Sequence, residues 1–195
     1  ATGGGWGDPH MISFDGTTYD AQTLGEYVYA EPVPGASGPR VIARHEFTAP
    51  SPFAATSITA VAVELGDRTL ELYGRPVAVR VDGVPADLAI GSSLALGDAL
   101  QVTRTAASTY RVDHPELSMV ARLGLHIDVE VTVAADGSYV GHLGIADGDP
   151  SNDLVVRDAA AAVGDWTTFL LADVRRHEDE LYEMAASWRL TDVSE

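Results

Sequence analysis

Apolar and polar positions alternate in short runs along most of the chain. Arg68 to Tyr73 (RTLELY) and Val77 to Val81 (VAVRV) alternate cleanly. Ser57 to Leu65 (SITAVAVEL) is rich in Val, Ile and Thr and alternates in part. Gln101 to Thr105, Leu125 to Val133 and Tyr139 to Leu143 continue the pattern. A period of two predicts half-buried β-strands rather than helices. Gly66-Asp67, Asp82-Gly83, Gly97-Asp98 and Asp136-Gly137 separate these runs. Such pairs are hairpin signals, because a type I′ turn needs positive φ at both central residues. Many short strands joined by tight turns point to an antiparallel sandwich or barrel.

The period changes near the C-terminus. Asp173 to Arg189 (DVRRHEDELYEMAASWR) reads as an amphipathic helix, with Val174, Leu181 and Trp188 on one stripe and Met184 and Ala185 beside it. A helix of this length is marginal alone, so it is expected to pack on the sheet. The segments Glu31 to Pro39 and Ala49 to Ser57 read as loops inside one domain.

Composition narrows the chemistry. The chain has 195 residues, with 12 Lys+Arg against 29 Asp+Glu, a formal net charge of −17, and no cysteine. That length suits one domain able to bury a real core. The missing cysteines exclude a disulfide scaffold, a thiolate zinc site and thiol catalysis. The charge opposes nucleic acid or an anionic membrane as partner. No apolar run reaches the length of a bilayer span, so no membrane insertion is expected. The first residues do not read as a signal peptide, so any export signal is expected to be removed or to lie outside this chain. The natural small partner of such a domain is a cation.

Asp147 to Asp153 reads D-G-D-P-S-N-D, with oxygen-bearing side chains at Asp147, Asp149, Ser151 and Asp153 and Asn152 between the last two. Alternate oxygens on a tight loop can wrap calcium, which takes six to eight oxygen ligands. The EF-hand signature is absent, since Asn152 stands at its glycine position and Asp158 at its closing Glu. The alternative is a solvated acidic turn, although three carboxylates in seven residues repel one another without a cation. A second segment, Trp6 to Asp20, holds the turn Phe14-Asp15-Gly16 and the pair Asp8-Pro9. An Asp side chain can attack its own peptide carbonyl, and the proline nitrogen is a comparatively easy leaving group. Alone, such a pair reads as a strand-entry turn.

The six histidines form no zinc-helix spacing, and no serine stands in G-x-S-x-G. His126 and His142 fall in predicted strands and read as structural. His177 to Glu180 reads as a solvated helix face. Gly3-Gly4-Gly5 has no strand before it and no helix after it, so it is not a phosphate loop. Trp6, Trp166 and Trp188 could form a sugar-stacking surface or be buried.

Taken in order, these segments resemble the von Willebrand factor type D domain. Gly7-Asp8-Pro9-His10 followed by Phe14-Asp15-Gly16 is similar to that family's opening, and Gly25-Glu26-Tyr27-Val28 to its C-E-Y-V strand with Gly for Cys. Val81 to Pro85 resembles its V-D-G-x-P hairpin, Leu143 to Leu154 its C-G-N-Y-N-G-D-P-S-N-D-F, and Ala186 to Arg189 its closing N-S-W-K/R. Five matches in order cover residues 6–190, with 1–5 and 191–195 expected as flexible termini.

The resemblance implies an all-β, antiparallel β-sandwich with the C-terminal amphipathic helix packed on it. It implies a secreted or cell-surface adhesion or spacer module, without catalysis, stabilised by calcium. Its ligands, carried over by position, are Asp15, Asp147, Asp149, Asn152 and Asp153. Other extracellular proteins or glycans are the partners it suggests. Gly25 and Leu143 replace two family cysteines and Ile145 replaces an Asn, so disulfide-linked multimers are excluded and the chain resembles a bacterial branch. Some members cleave themselves at the Asp-Pro bond, which here implies attack by Asp8, departure of Pro9 and proton donation by His10. A third reading is a ligand-binding sandwich whose acidic loop holds no metal.

Overall fold

The computed structural model of the chain describes residues 1–47, 55–97, 99–154, 156–157 and 174–190, with backbone alone for 174–180. The predicted helix stripe at Val174, the cluster His177 to Glu180, and Trp166 lie outside the described side chains. Among the described residues the chain forms strands β1 (Thr2–Trp6), β2 (His10–Ile12), β3 (Thr18–Asp20), β4 (Gly25–Pro32), β5 (Arg40–Phe47), β6 (Thr56–Leu65), β7 (Arg68–Gly74), β8 (Val77–Val81) and β9 (Val84–Pro85). There follow β10 (Ser93–Ala95), β11 (Gln101–Ala106), β12 (Thr109–His114), β13 (Leu117–Arg122), β14 (Asp128–Val133), β15 (Tyr139–Gly141), β16 (Gly144–Ile145) and helix α1 (Val174–Ser187).

All pairings are antiparallel, in two sheets of order β10-β11-β12-β13-β14-β1-β2-β3 and β16-β15-β4-β5-β6-β7-β8-β9. Register places the apolar positions of neighbouring strands side by side. One row runs Val102–Val112–Met119–Val131–Gly3 across the first sheet. Its counterpart runs Tyr27–Ala43–Val61–Leu72–Val79 across the second. Apart from Gly3 these side chains join one buried core. A one-residue slip would turn each row out to water, so core burial sets the register. Each fully buried Val, Leu or Met contributes about 1.5–3 kcal/mol. The all-β sandwich, with one α-helix among the described residues at its C-terminal end, is therefore the observed fold.

Several local expectations are corrected. Residues 1–5 are not a flexible terminus. Thr2–Trp6 is an interior strand between β14 and β2, with Gly3, Gly4 and Gly5 buried. A Cβ on Gly4 would run into the Val129 carbonyl, and one on Gly5 would lie 2.7 Å from Met11 Sδ. The glycine run thus serves close strand approach. Asp136-Gly137 is not a hairpin turn, because β13 and β1 already occupy both edges of β14; the chain crosses there to β15 in the other sheet. Asp82-Gly83 does close the β8–β9 hairpin, with φ of 51° and 76°. His142 lies in a turn and His126 in an exposed bend, because β15 and β14 are shorter than the pattern predicts. Part of the expected loop Ala49 to Ser57 is strand, since β6 starts at Thr56, while 48–54 lie outside the described residues.

Helix α1 stops at Ser187, and the chain then turns to run along the edge of β4. Val28 N donates to Trp188 O and Leu190 N to Glu26 O, both at 2.9 Å, with a bridge between Tyr27 and Arg189. Strand β15 pairs with β4 at Glu31 and Pro32; beyond it His142 N and Leu143 N donate to Val28 O and Tyr29 O, and Trp188 to Leu190 complete the edge. Met184, Ala185 and Trp188 are buried beneath the helix.

Candidate functional site

The β2–β3 hairpin carries one candidate region at each end. Its tip is Ser13 to Thr17, held by Ser13 N donating to Thr17 O at 2.8 Å and Gly16 N donating to Ser13 O at 3.2 Å. Phe14 N donates to Leu143 O at 2.7 Å, fastening the tip to the segment before the acidic loop. There Asp15 Oδ2 accepts from Asp147 N at 3.2 Å and Gly148 N at 2.8 Å. Two motifs 132 residues apart in sequence therefore meet through a carboxylate.

The loop folds on its own side chains. Asp147 Oδ1 accepts from Asp149 N at 2.9 Å, and Asp147 Oδ2 accepts from Asn152 Nδ2 at 2.8 Å. Asp149 caps the 3-10 turn Pro150–Asn152, its Oδ1 accepting from Ser151 N at 3.0 Å and Ser151 Oγ at 2.6 Å. Those bonds hold the Asp149 carboxyl below the usual carboxylate range. Capping of this kind is the ordinary work of Asp at a helical first turn.

Asp153 stands apart because it is only 1% exposed. Its Oδ2 accepts from Ser13 Oγ at 2.6 Å and Thr17 Oγ1 at 3.3 Å. Its Oδ1 is buried without a hydrogen-bond partner, as is Asn152 Oδ1. Burial pushes the Asp153 carboxyl up to about 7; the Ser13 and Thr17 hydrogen bonds pull it down, and the charges of Asp15 and Asp147 push it up. Gly144, at φ +90°, presses its backbone against Asp153 Oδ1, and a Cβ there would collide with it. Residues Asp15, Asp147, Asn152 and Asp153 are thus brought together, with Asp149 on the exposed rim. Ser13, Thr17 and Gly144 complete the surroundings and were not singled out from the sequence. A serine one residue before F-D-G carries no motif, and its role depends on a partner 140 residues away.

This donor set suits a hard cation on chemical grounds, since it is all oxygen and two of its oxygens are buried and unpartnered. Among the described residues no three His, Asp or Glu side chains are already gathered as metal ligands. The carboxylates instead accept from backbone N–H groups, from Asn152 and from the hydroxyls of Ser13, Thr17 and Ser151.

At the other end of the hairpin, Asp8 and Pro9 turn the chain from β1 into β2. Asp8 is exposed, and its Oδ1 accepts from Gln22 Nε2 at 2.6 Å. His10 Nδ1 lies 2.7 Å from Asp20 Oδ1 across the strand pair. Strand β1 is held by β14 and β2 on its two edges.

Behind this turn lies a cluster of buried rings. Tyr29 Oη is 2.6 Å from His45 Nε2, and its ring stacks on His142 at 5.7 Å. Tyr19 Oη donates to His142 O and lies 3.1 Å from His142 Nδ1. Its single proton is committed to the carbonyl, so His142 Nδ1 must be the donor of the second contact. His142 Nε2 is then a bare lone pair, buried and unpartnered. Burial lowers His45 to about 4 and His142 to about 3, the neighbouring His45 adding to the shift of His142.

The sequence pattern of the von Willebrand factor type D domain matches residues 3–160, and the chain belongs to that family. Such domains are structural modules typically found in extracellular proteins. No curated protein matches the chain.

Proposed function

We propose that this domain is a non-catalytic, calcium-stabilised module of a secreted or cell-surface protein, serving adhesion or spacing. The observation that carries the reading is the pair of buried, unpartnered oxygens on Asp153 and Asn152. They lie beside the carboxylates of Asp15 and Asp147, where like charge accumulates without a counterion. Calcium bound there would supply that counterion, exchanging the present N–H contacts of the loop for metal coordination. It would also clip the hairpin tip to the loop before α1, restricting the unfolded chain across a long closure.

Thermal unfolding with calcium and with chelator tests this. Calcium at a hundred times its dissociation constant adds about 2.7 kcal/mol, a midpoint rise of about 5–10 °C for a chain of this size. Asp153→Asn should lose that rise. An unchanged midpoint in the wild-type chain, with no calcium found by elemental analysis, would remove the metal from the proposal.

A second reading, self-processing, draws support from exposed Asp8 at the turn into β2 and the two-sided pairing of β1. The Asp8 carboxylate would attack its own carbonyl carbon, the C–N bond to Pro9 would break with a proton passing to the proline nitrogen from His10, and water would reopen the anhydride. The fragment ending at Asp8 would stay paired in the sheet. Intact mass after mildly acidic incubation distinguishes the readings: two masses, abolished by Asp8→Asn, support cleavage, and one full-length mass opposes it.

A further inference from the structure

A cavity of about 690 Å³ opens between the β2–β3 hairpin and helix α1. That volume lies within the range of small-ligand pockets. Its floor is apolar, with Met11 and Met184 each 1% exposed. Two aromatic side chains at its rim are left open to solvent, Trp6 at 42% and Tyr182 at 63%. Exposed rings flanking an apolar floor are the elements of an aromatic cage.

The ionisable groups on the rim of this cavity are the Asp20 carboxylate and the His10 imidazole paired with it. Asp20 stands at the rim with its side chain 66% exposed, giving Oδ1 to His10. Gln22, also at the rim, spends an amide N–H on the Asp8 carboxylate. Fully buried His142 also borders the cavity. The whole chain carries a net charge of −17. The Asp20 carboxylate disfavours an anion here, and a neutral apolar ligand would gain nothing from it.

We propose that this cavity binds an alkylammonium group, its methyl or methylene surface against Met11 and Met184 and its charge beside Trp6, Tyr182 and the Asp20 carboxylate. The group could belong to a free quaternary ammonium compound or to a lysine side chain of a partner protein; the recognising chemistry is the same. This site is separate from the acidic loop and does not depend on calcium binding there.

The test is titration calorimetry of the full chain in calcium-containing buffer, with choline, with an acetyl-lysine-amide peptide bearing a free ε-ammonium, and with 3,3-dimethylbutanol. The last is the uncharged carbon isostere of choline. Saturable binding of choline or of the lysine peptide, at least about tenfold tighter than the isostere, is the expected result. The tighter of the two ligands identifies the source of the ammonium. Trp6→Leu and Asp20→Asn should each weaken that binding about tenfold or more while leaving the thermal midpoint within a few degrees. Equal binding of the isostere would overturn the role of charge. Absence of binding by both cations, or binding untouched in a folded Trp6→Leu variant, would overturn the site.

Discussion

Asp153 and the pair His45 and His142 are all buried to within 1% exposure, and all contain a polar atom without a hydrogen-bond partner. They respond in opposite ways. Burial disfavours the charged form of either kind of group. At Asp153 that raises the carboxyl towards neutrality, against two hydroxyl donors that favour the anion. At the histidines it removes the proton, and the rings settle as neutral members of an aromatic cluster with Tyr19, Tyr27 and Tyr29. The acid sits among other carboxylates, and a cation can resolve its position. The bases need no ligand to remain neutral. The difference teaches that a buried unpartnered atom points to a cation only where negative charge gathers around it.

Acidification should separate the two regions most strongly. The folded-state pKa values of His45 and His142 lie below the usual 6.5, so the unfolded chain binds more protons as the pH falls. Their neutral burial contributes stability that is fully present above about 6.5 and is lost as pH falls towards about 4 and below. With calcium saturating, urea midpoints measured from pH 7.5 to 4 should fall by the equivalent of several kcal/mol. His142→Gln should flatten that slope. A slope unchanged in the variant would separate acid sensitivity from this cluster.

A smaller effect is expected from Gly144→Ala. The added methyl meets Asp153 Oδ1 and the backbone sits at φ +90°, so a loss of about 2–4 kcal/mol is expected together with the calcium response. The acid slope due to the histidines should survive, which calorimetry at several pH values would reveal. Smaller still is Ser13→Ala, which removes a 2.6 Å hydrogen bond to a buried carboxylate and the acceptor for Thr17 N. About 1.5–3 kcal/mol should be lost in chelator, and the midpoint difference between calcium and chelator should shrink. A wild-type calcium response in Ser13→Ala would show that Asp153 needs no support from the hairpin tip.

Much of the molecule was legible in local pattern. Period-two runs placed β6, β7, β8, β11, β14 and β15, and Asp82-Gly83 announced its hairpin through the positive φ that the pair tolerates. The D-G-D-P-S-N-D loop and the F-D-G turn could be picked out as oxygen-rich, and three of the other four residues carried over from the family stand beside Asp153. What local pattern could not show was which strand edges were free. Gly3-Gly4-Gly5 has no side chains with which to alternate, so its interior strand left no periodic signal. Asp136-Gly137 had the chemistry of a hairpin turn, yet β14 had no edge left to pair.

Strand tendency, turn chemistry and the absence of thiol crosslinks were determined by the sequence alone, because each depends on a residue and its near neighbours. The pairing of sheets, the meeting of Ser13 with Asp153 and the committed proton of Tyr19 were decided only by tertiary structure. Each rests on groups more than a hundred residues apart. Only packing against the shared core brings such groups within hydrogen-bond distance, and burial then gives those contacts their electrostatic consequence.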